Sequence, residues 1–316
     1  VWRPTAGSLR LLALLGVIGN VLIVLSGGAV RVTKSGLGCP EWPRCTGDSL
    51  VPTNSPEHHL LNMSIEFGNR MVTFLVLGIG VLVFVAALRL RPRRKDLVWW
   101  ALAQPMSVVA QAVIGGIVVL TKLHPAAVSL HFLVSPALLV FCVALWVRAG
   151  EGDAPPRPLA GPWTRRLAAA LLVSCAAVLV AGTVVTGTGP HAGDAESRRY
   201  GFNITDVARI HGELAWLTIA LTAAIIVVLY RTGAPAAARH RALELAGLIV
   251  VQGAIGYTQY FLGVPAGLVL LHMLGSVLMW IAAFRLFFAL RDRGPLAVPA
   301  ATPAPAAPQA EAPQPA

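Results

Sequence analysis

Gln252-Gly-Ala-Ile-Gly256, a break around Gly263-Val-Pro265, and an apolar run holding a single histidine, His272, form the stretch from which the fold is read. It has an earlier counterpart. Gln111-Ala-Val-Ile-Gly115 precedes a break around Lys122-Leu-His-Pro125 and an apolar run holding His131. Glutamine and histidine stand 20 residues apart in both copies, and the copies are offset by 141 residues in a chain of 316. Glu66–Gly80 and Ala208–Thr222 repeat at an offset of 142, which sets Asn69 opposite His211. A shared Gln-x-x-Ile-Gly would carry little by itself. The shared spacing to histidine makes the chain a duplicated half, each copy bearing a polar residue on two apolar helices.

The rest of the composition places those helices in lipid. Hydrophobic residues make up 56% of the chain, charged residues only 12%, and the mean hydropathy is +0.71. A soluble domain carries about 25% charged residues. A bilayer-spanning helix needs about 20 apolar residues. Eight stretches meet that length: roughly 9–30, 68–88, 97–120, 127–147, 166–187, 207–230, 242–262 and 267–290. Strand-period alternation is absent, which argues against a β-barrel. The expected fold is an all-α integral membrane protein of eight transmembrane helices in two pseudo-symmetric four-helix bundles. Residues 1–150 form the first half, 151–165 a cytoplasmic linker, 166–293 the second half, and 294–316 a disordered tail rich in alanine and proline. Helix 1 is long enough to span and continues into the repeat, so it reads as a retained span and not a cleaved signal.

A net charge of +11 invites a nucleic-acid reading. The placement of the charge opposes it. Arg89, Arg91, Arg93, Arg94 and Lys95 lie between helices 2 and 3, and Arg148, Arg157, Arg165 and Arg166 between helices 4 and 5. Arg231, Arg239 and Arg241 lie between helices 6 and 7, and Arg285, Arg291 and Arg293 close helix 8. Every second connection is basic, which is the positive-inside pattern of a multi-pass protein of a bacterial-type cell membrane. Both termini are then cytoplasmic, and loops 31–65 and 188–206 face outward. The expected surroundings are a lipid bilayer, with no nucleic acid and with a homo-oligomer open.

The outward loop 31–65 holds Cys39-Pro-Glu-Trp-Pro-Arg-Cys45. Two cysteines so spaced on an oxidising face suit a small disulfide ring, structural or redox-active. A metal site is the alternative, although no third and fourth ligand stand nearby. Cys142 and Cys175 fall inside apolar helices and read as core. Glu66 opens helix 2 as a carboxylate at the membrane mouth, a position that marks function by default. Glu66 and Arg70 are also i and i+4, so a salt bridge at the helix start is the competing reading. Arg31 either snorkels to the interface or binds an anionic group. Ser26-Gly-Gly28 suits close helix approach, and Asp206 suits the cap of helix 6.

His211 lies about five residues into helix 6 and His272 about six into helix 8, some 8–10 Å below the outer boundary at roughly 1.5 Å per residue. Asn69 and His131 fall at the same depth in the first half. Helix bundles build cofactor sites from facing side chains, and imidazole is an axial ligand for haem iron. Arg209 beside His211 and Arg70 beside Asn69 stand at the polar rim, where propionates would lie.

These residues resemble the haem A synthase family. The match runs through Gly27-Gly-Ala-Val-Arg-Val-Thr33, Gly36-Leu-Gly-Cys-Pro-Glu-Trp-Pro43, Glu66 with Arg70, Gln111-Ala-Val-Ile-Gly-Gly116 and His131. It continues through Thr186-Gly-Thr-Gly-Pro-His-Ala-Gly-Asp194, Ala208-Arg-Ile-His-Gly212, Gln252-Gly-Ala-Ile-Gly256 and His272. The resemblance implies two pseudo-symmetric bundles, with a haem b held by His211 and His272. The substrate haem O would lie in the first half with His131 as an axial ligand and Asn69 and Arg70 in its vicinity. Glu66 matches the family's catalytic acid, Arg31 and Arg209 are propionate candidates, and Cys39 and Cys45 match the outer-loop pair able to form a disulfide. The implied reaction converts the C8 methyl of haem O to a formyl group. Haem O synthase lies upstream and cytochrome oxidase assembly downstream, and the external reductant or quinol is open. The chain departs from the family in having Asn69 where a histidine is common, and in lacking a second cysteine pair in 188–206. With Asn69 there, His131 is the one strong axial ligand, and His58 or His59 are more remote candidates for the sixth position. A di-haem electron carrier oxidising quinol is the first rival, and would favour a histidine pair in both halves. A transporter is the second, since repeats with buried polar residues also suit transport.

Overall fold

A computed structural model describes residues 2–53 and 59–296. Eight long helices follow one another: α1 Ala6–Val32, α2 Leu60–Arg89, α3 Lys95–Leu120, α4 Pro125–Ala149, α5 Pro162–Thr188, α6 Ile204–Arg231, α7 Ala236–Phe261 and α8 Ala266–Phe288. Seven of them are long and apolar enough to cross a membrane. The eighth, α7, is as long, but Arg239, His240, Arg241 and Glu244 occupy its first turns. His58 lies outside the described residues, as does 297–316 of the expected tail.

Each half closes on itself. In the first, α1 packs on α2, α2 on α3, α3 on α4 and α4 on α1; in the second, α5 to α8 repeat that ring. Between the halves α1 meets α8, α4 meets α5, and α4 meets α8. A two-fold relation requires this set, because exchanging the halves turns the α1–α8 contact into the α5–α4 contact. The core between the bundles is apolar, with Leu139, Cys142, Leu171, Cys175, Ile225 and Leu286 fully enclosed. Trp280 of α8 donates its indole N–H to the Pro136 carbonyl of α4 at 2.8 Å. Pro136 has no backbone N–H to give its own helix, and its carbonyl serves as a tie between the halves.

Two boundaries differ from the sequence reading. Helix α2 starts at Leu60 and not near 68. Glu66 in the added turns and Arg70 just after them are satisfied by the preceding loop, as described below. The α6 cap is Asn203, whose side chain accepts the Thr205 N–H at 2.9 Å, and Asp206 lies in the first turn. The linker is also less free than its proline and glycine content suggests. Arg157–Pro158 pairs antiparallel with Arg291–Asp292, and Gly152 N–H donates to Gly294 O at 2.9 Å.

Arg148 anchors that end of the molecule. It is 5% exposed and holds Asp96 of α3 at 2.5 Å and Glu151 of the linker at 3.2 Å; Glu151 in turn meets Arg291 at 3.3 Å. Arg148→Ala removes several charge-assisted hydrogen bonds at once. The expected cost is about 2–3 kcal/mol, read as a lowered thermal midpoint in detergent; an unchanged midpoint would show the cluster to be ornamental.

Candidate functional site: two histidine-bearing layers and a disulfide cap

The repeated spacing has a structural cause. The Gln252 side-chain amide donates to the backbone carbonyl of His272 at 2.9 Å. One turn after Gln252, Gly256 lies against the imidazole, where an ideal Cβ would stand 3.3 Å from His272 Cε1. The first half repeats this arrangement. Gln111 donates to His131 O at 3.3 Å and to Ser135 Oγ at 2.6 Å, and a Cβ on Gly115 would again stand 3.3 Å from His131 Cε1. Glutamine fixes the backbone of the histidine turn and glycine makes room for its ring. A third copy uses α5 and α6: Val178 O lies 3.1 Å from His211 Nδ1, and Gly182, one turn on, seats that ring at 3.3 Å. Asn69 takes the fourth place, nearest Gly27, and its Oδ1 is 2.6 Å from Ser26 Oγ.

In the second half the two rings face one another. The His211 and His272 ring centres are 6.2 Å apart and their planes cross at 72°. Two imidazoles on opposite sides of one metal ion have centres roughly 6–6.5 Å apart, twice the sum of a metal–nitrogen bond of about 2.0–2.1 Å and the ring radius. Nδ1 of His211 is engaged by the Val178 carbonyl, which leaves Nε2 for a metal and orients the ring as the outer nitrogen of a ligating histidine usually is. Nδ1 of His272 is buried without a partner, and so is Nδ1 of His131. The described residues contain no cluster of three or more histidine, cysteine or acidic side chains that could hold a bare ion. A pair of histidines with no further protein ligand fits a planar macrocycle that brings its own equatorial nitrogens. Gly256→Val would drive the His272 ring out of its seat; if the pair holds a haem, most of its absorbance per protein should disappear, and an unchanged spectrum would separate the glycine from the site.

The first half carries a cap that the second lacks. Cys39 and Cys45 form a disulfide, both sulfurs fully buried, which settles the alternatives left by the sequence in favour of the disulfide. Glu66, 5% exposed, accepts the Cys39 N–H at 2.7 Å through Oε2 and the Arg70 guanidinium at 2.7 Å through Oε1. Arg70 also donates to the carbonyls of Arg44, Cys39 and Glu41 at 2.8, 3.1 and 3.0 Å. The salt bridge at the helix start is therefore present, and it reaches beyond α2 to clamp the ring. Trp42, at the tip of the ring, lies on Gly116 so closely that a Cβ there would stand 2.6 Å from the indole. Adjacent glycines thus seat two different things, Gly115 the imidazole and Gly116 the indole.

The pattern of the cytochrome oxidase assembly protein family COX15-CtaA matches residues 10–284. The chain belongs to that family. Its relatives include a haem A synthase of Shewanella oneidensis, 24% identical over 82% of this chain and 90% of the relative. A haem A synthase of Halalkalibacterium halodurans is 29% identical over 57% of this chain and 60% of its own length. One of Lysinibacillus sphaericus is 35% identical over 43% of each. Matches to several of these relatives span only about half of their length.

The matched span contains every candidate site residue named above, and the fold gathers them unequally. His211 with His272, and Glu66 with Arg70, Cys39 and Cys45, come together as clusters. Arg31 does not point to open water; it donates to the carbonyls of His191 at 3.2 Å and Thr186 at 3.4 Å in the other half. Arg209 is exposed and pairs with Glu213 at 2.9 Å. Sequence reasoning noted Ser26 for close helix approach and Trp42 within the ring, but not the partners they meet, and it passed over the glycines as seats for the rings. The recurrence of glycine four residues after each glutamine was the available signal for those seats.

Proposed function

We propose that the chain acts as a haem A synthase, oxidising the C8 methyl of membrane-borne haem O to a formyl group. The observation that carries this reading is the inequality of the halves: His211 and His272 face each other at 6.2 Å, while His131 has Asn69 across its bundle. In this reading His211 and His272 hold haem b in residues 166–293. His131 is the axial ligand of the substrate haem in residues 1–150, with Asn69 and Arg70 in its vicinity, and 151–165 links the halves. Haem b, when bound, supplies one-electron chemistry. The chain's own residues do the positioning. Gln111 and Gly115 fix His131, and Ser26 holds the Asn69 amide. Glu66 presents a carboxylate whose orientation is set by Cys39 N–H and Arg70, so that its charge stabilises positive charge developing at the reacting carbon. Arg31 and Arg209 are the propionate candidates, and to serve propionates Arg31 would leave the His191 and Thr186 carbonyls and Arg209 the Glu213 carboxylate.

The basic ends of the helices favour a cytoplasmic placement of both termini and an external disulfide. Haem O synthase would supply the substrate, and the product would go to terminal oxidase assembly. A carrier of two permanent haems is disfavoured by Asn69, which offers no strong ligand. The test is conversion: protein purified with haem O synthase co-expressed, its haems extracted and weighed by mass spectrometry. Haem b together with haem O, its C8 alcohol or haem A supports the proposal; haem b alone, with haem O available, contradicts it.

A further inference from the structure

At the end of the molecule away from the histidine layers, arginines from three helices converge on one strip of α8. Arg285 lies in the last turn of α8, thirteen residues and so about 20 Å along the helix from His272. Its guanidinium stands over the Trp146 ring of α4 at 5.0 Å. The carboxylate beside it, Glu244 of α7, is 3.5 Å away and is already committed elsewhere. Arg241 Nη1 reaches both Glu244 oxygens, at 2.6 and 2.7 Å, and His240 Nε2 lies at 3.3 Å. Among the described residues Arg285 makes no hydrogen bond. Arg10 of α1 is exposed and likewise unpaired among the described residues. Its guanidinium rests on Gly150, where a Cβ would stand 3.0 Å from Cζ, and it lies near enough to Arg285 to repel it. From these charges a groove of about 290 Å³ runs between α7 and α8 toward the middle of the span, lined by Leu248, Leu278, Ile281 and Ala282 with Glu244 and Arg285 at its rim.

We infer that this corner binds one anionic phospholipid, its phosphate on Arg285 and Arg10 and an acyl chain in the α7–α8 groove. Basic residues at a membrane surface attract anionic lipid diffusely wherever they lie. Here three arginines gather around a single carboxylate, and the two that Glu244 does not hold by hydrogen bonds keep their N–H groups free. A phosphodiester meets that need, because a guanidinium donates to two of its oxygens at once. The apolar groove beside the charges selects a lipid over a free anion, since only a lipid carries a chain to fill it. The site lies on the far side of the bundle from the histidines and stands whether or not the haem reading holds.

The full chain in detergent is offered equal amounts of phosphatidylglycerol and phosphatidylcholine with the same acyl chains, and the lipid it retains is counted by native mass spectrometry. The wild type should keep one phosphatidylglycerol per chain, several-fold in preference to phosphatidylcholine, and excess inorganic phosphate should not displace it. Arg10→Gln, which alters only an exposed and unpaired side chain, should lower the preference, and adding Arg285→Gln should abolish it. Leu278→Trp fills the groove while leaving every charge in place, and should also release the lipid. Arg231→Gln, an exposed arginine ending α6 at the same end of the bundle, should change nothing. Equal uptake of the two lipids overturns the inference, as does a preference that survives Arg10→Gln with Arg285→Gln or survives Leu278→Trp. An equal loss in Arg231→Gln overturns it in favour of diffuse attraction, and displacement by inorganic phosphate in favour of a free-anion site. Lipid retained only by a dimer would make the groove an interface between copies and overturn it as well.

Discussion

Glu66→Gln should leave a folded, haem b-containing protein that no longer converts haem O at a useful rate. The glutamine is nearly isosteric and its carbonyl can still accept the Cys39 N–H, now 2.7 Å from Oε2. What it loses is the charge facing Arg70 across 2.7 Å. Removing one preorganised electrostatic group of an active site costs roughly 10²–10³-fold in rate, and conversion should fall on that scale. Two controls separate chemistry from architecture. The Cys39–Cys45 disulfide, read by thiol labelling, should stay oxidised, and the haem b absorbance should stay at wild-type intensity. Full conversion by the variant would reduce Glu66 to a clamp for the disulfide ring. Loss of the disulfide would show that the clamp depends on the charge.

The second large effect belongs to the facing histidines. In the proposed reading His272→Ala and His211→Ala should each abolish the six-coordinate haem b signal, since each would remove one of the two ligands assigned to that site. The two variants should differ in one respect. His211 is braced by Val178 O at 3.1 Å, whereas Nδ1 of His272 has no partner; the imidazole left in His272→Ala is therefore the better held. Added imidazole should restore more absorbance to His272→Ala than to His211→Ala. Thermal stability should fall in both, because a ligand bound only by the folded state stabilises it by mass action. Retention of the full spectrum in either variant would remove that histidine from the ligand set.

How much of this was readable in advance follows from the range of each interaction. The repeat was legible because glutamine, glycine and histidine recur at fixed spacing, and the spacing itself comes from antiparallel neighbours, α3 with α4 and α7 with α8. The basic alternation of the loops was legible for a similar reason, being a property of consecutive segments. The cap over the first half was only half legible. Cys39 and Cys45 are close in the chain, so their pairing left a local trace, but Glu66 and Trp42 act across 27 and 74 residues on partners that give no periodic signal. The sequence opened helix 2 at Glu66, and the further turn back to Leu60 lies outside the apolar stretch by which the helix was recognised. The meeting of Gly28 with Met273 joins residues from opposite ends of the chain, and only the docking of the halves brings it about. Arg31 was read as snorkelling to the interface or binding an anionic group, and its donation to carbonyls of the other half left no local trace.

The central claim is that the two halves are chemically unequal, one site closed by two imidazoles and the other bound through His131 alone. Low-temperature electron paramagnetic resonance of the oxidised protein carrying both haems tests it most directly. One low-spin signal of a bis-imidazole haem, lost in His272→Ala, should appear beside a signal from a second haem that is high-spin and lost in His131→Ala. Two low-spin bis-imidazole signals, or a low-spin signal that survives His272→Ala, would contradict it.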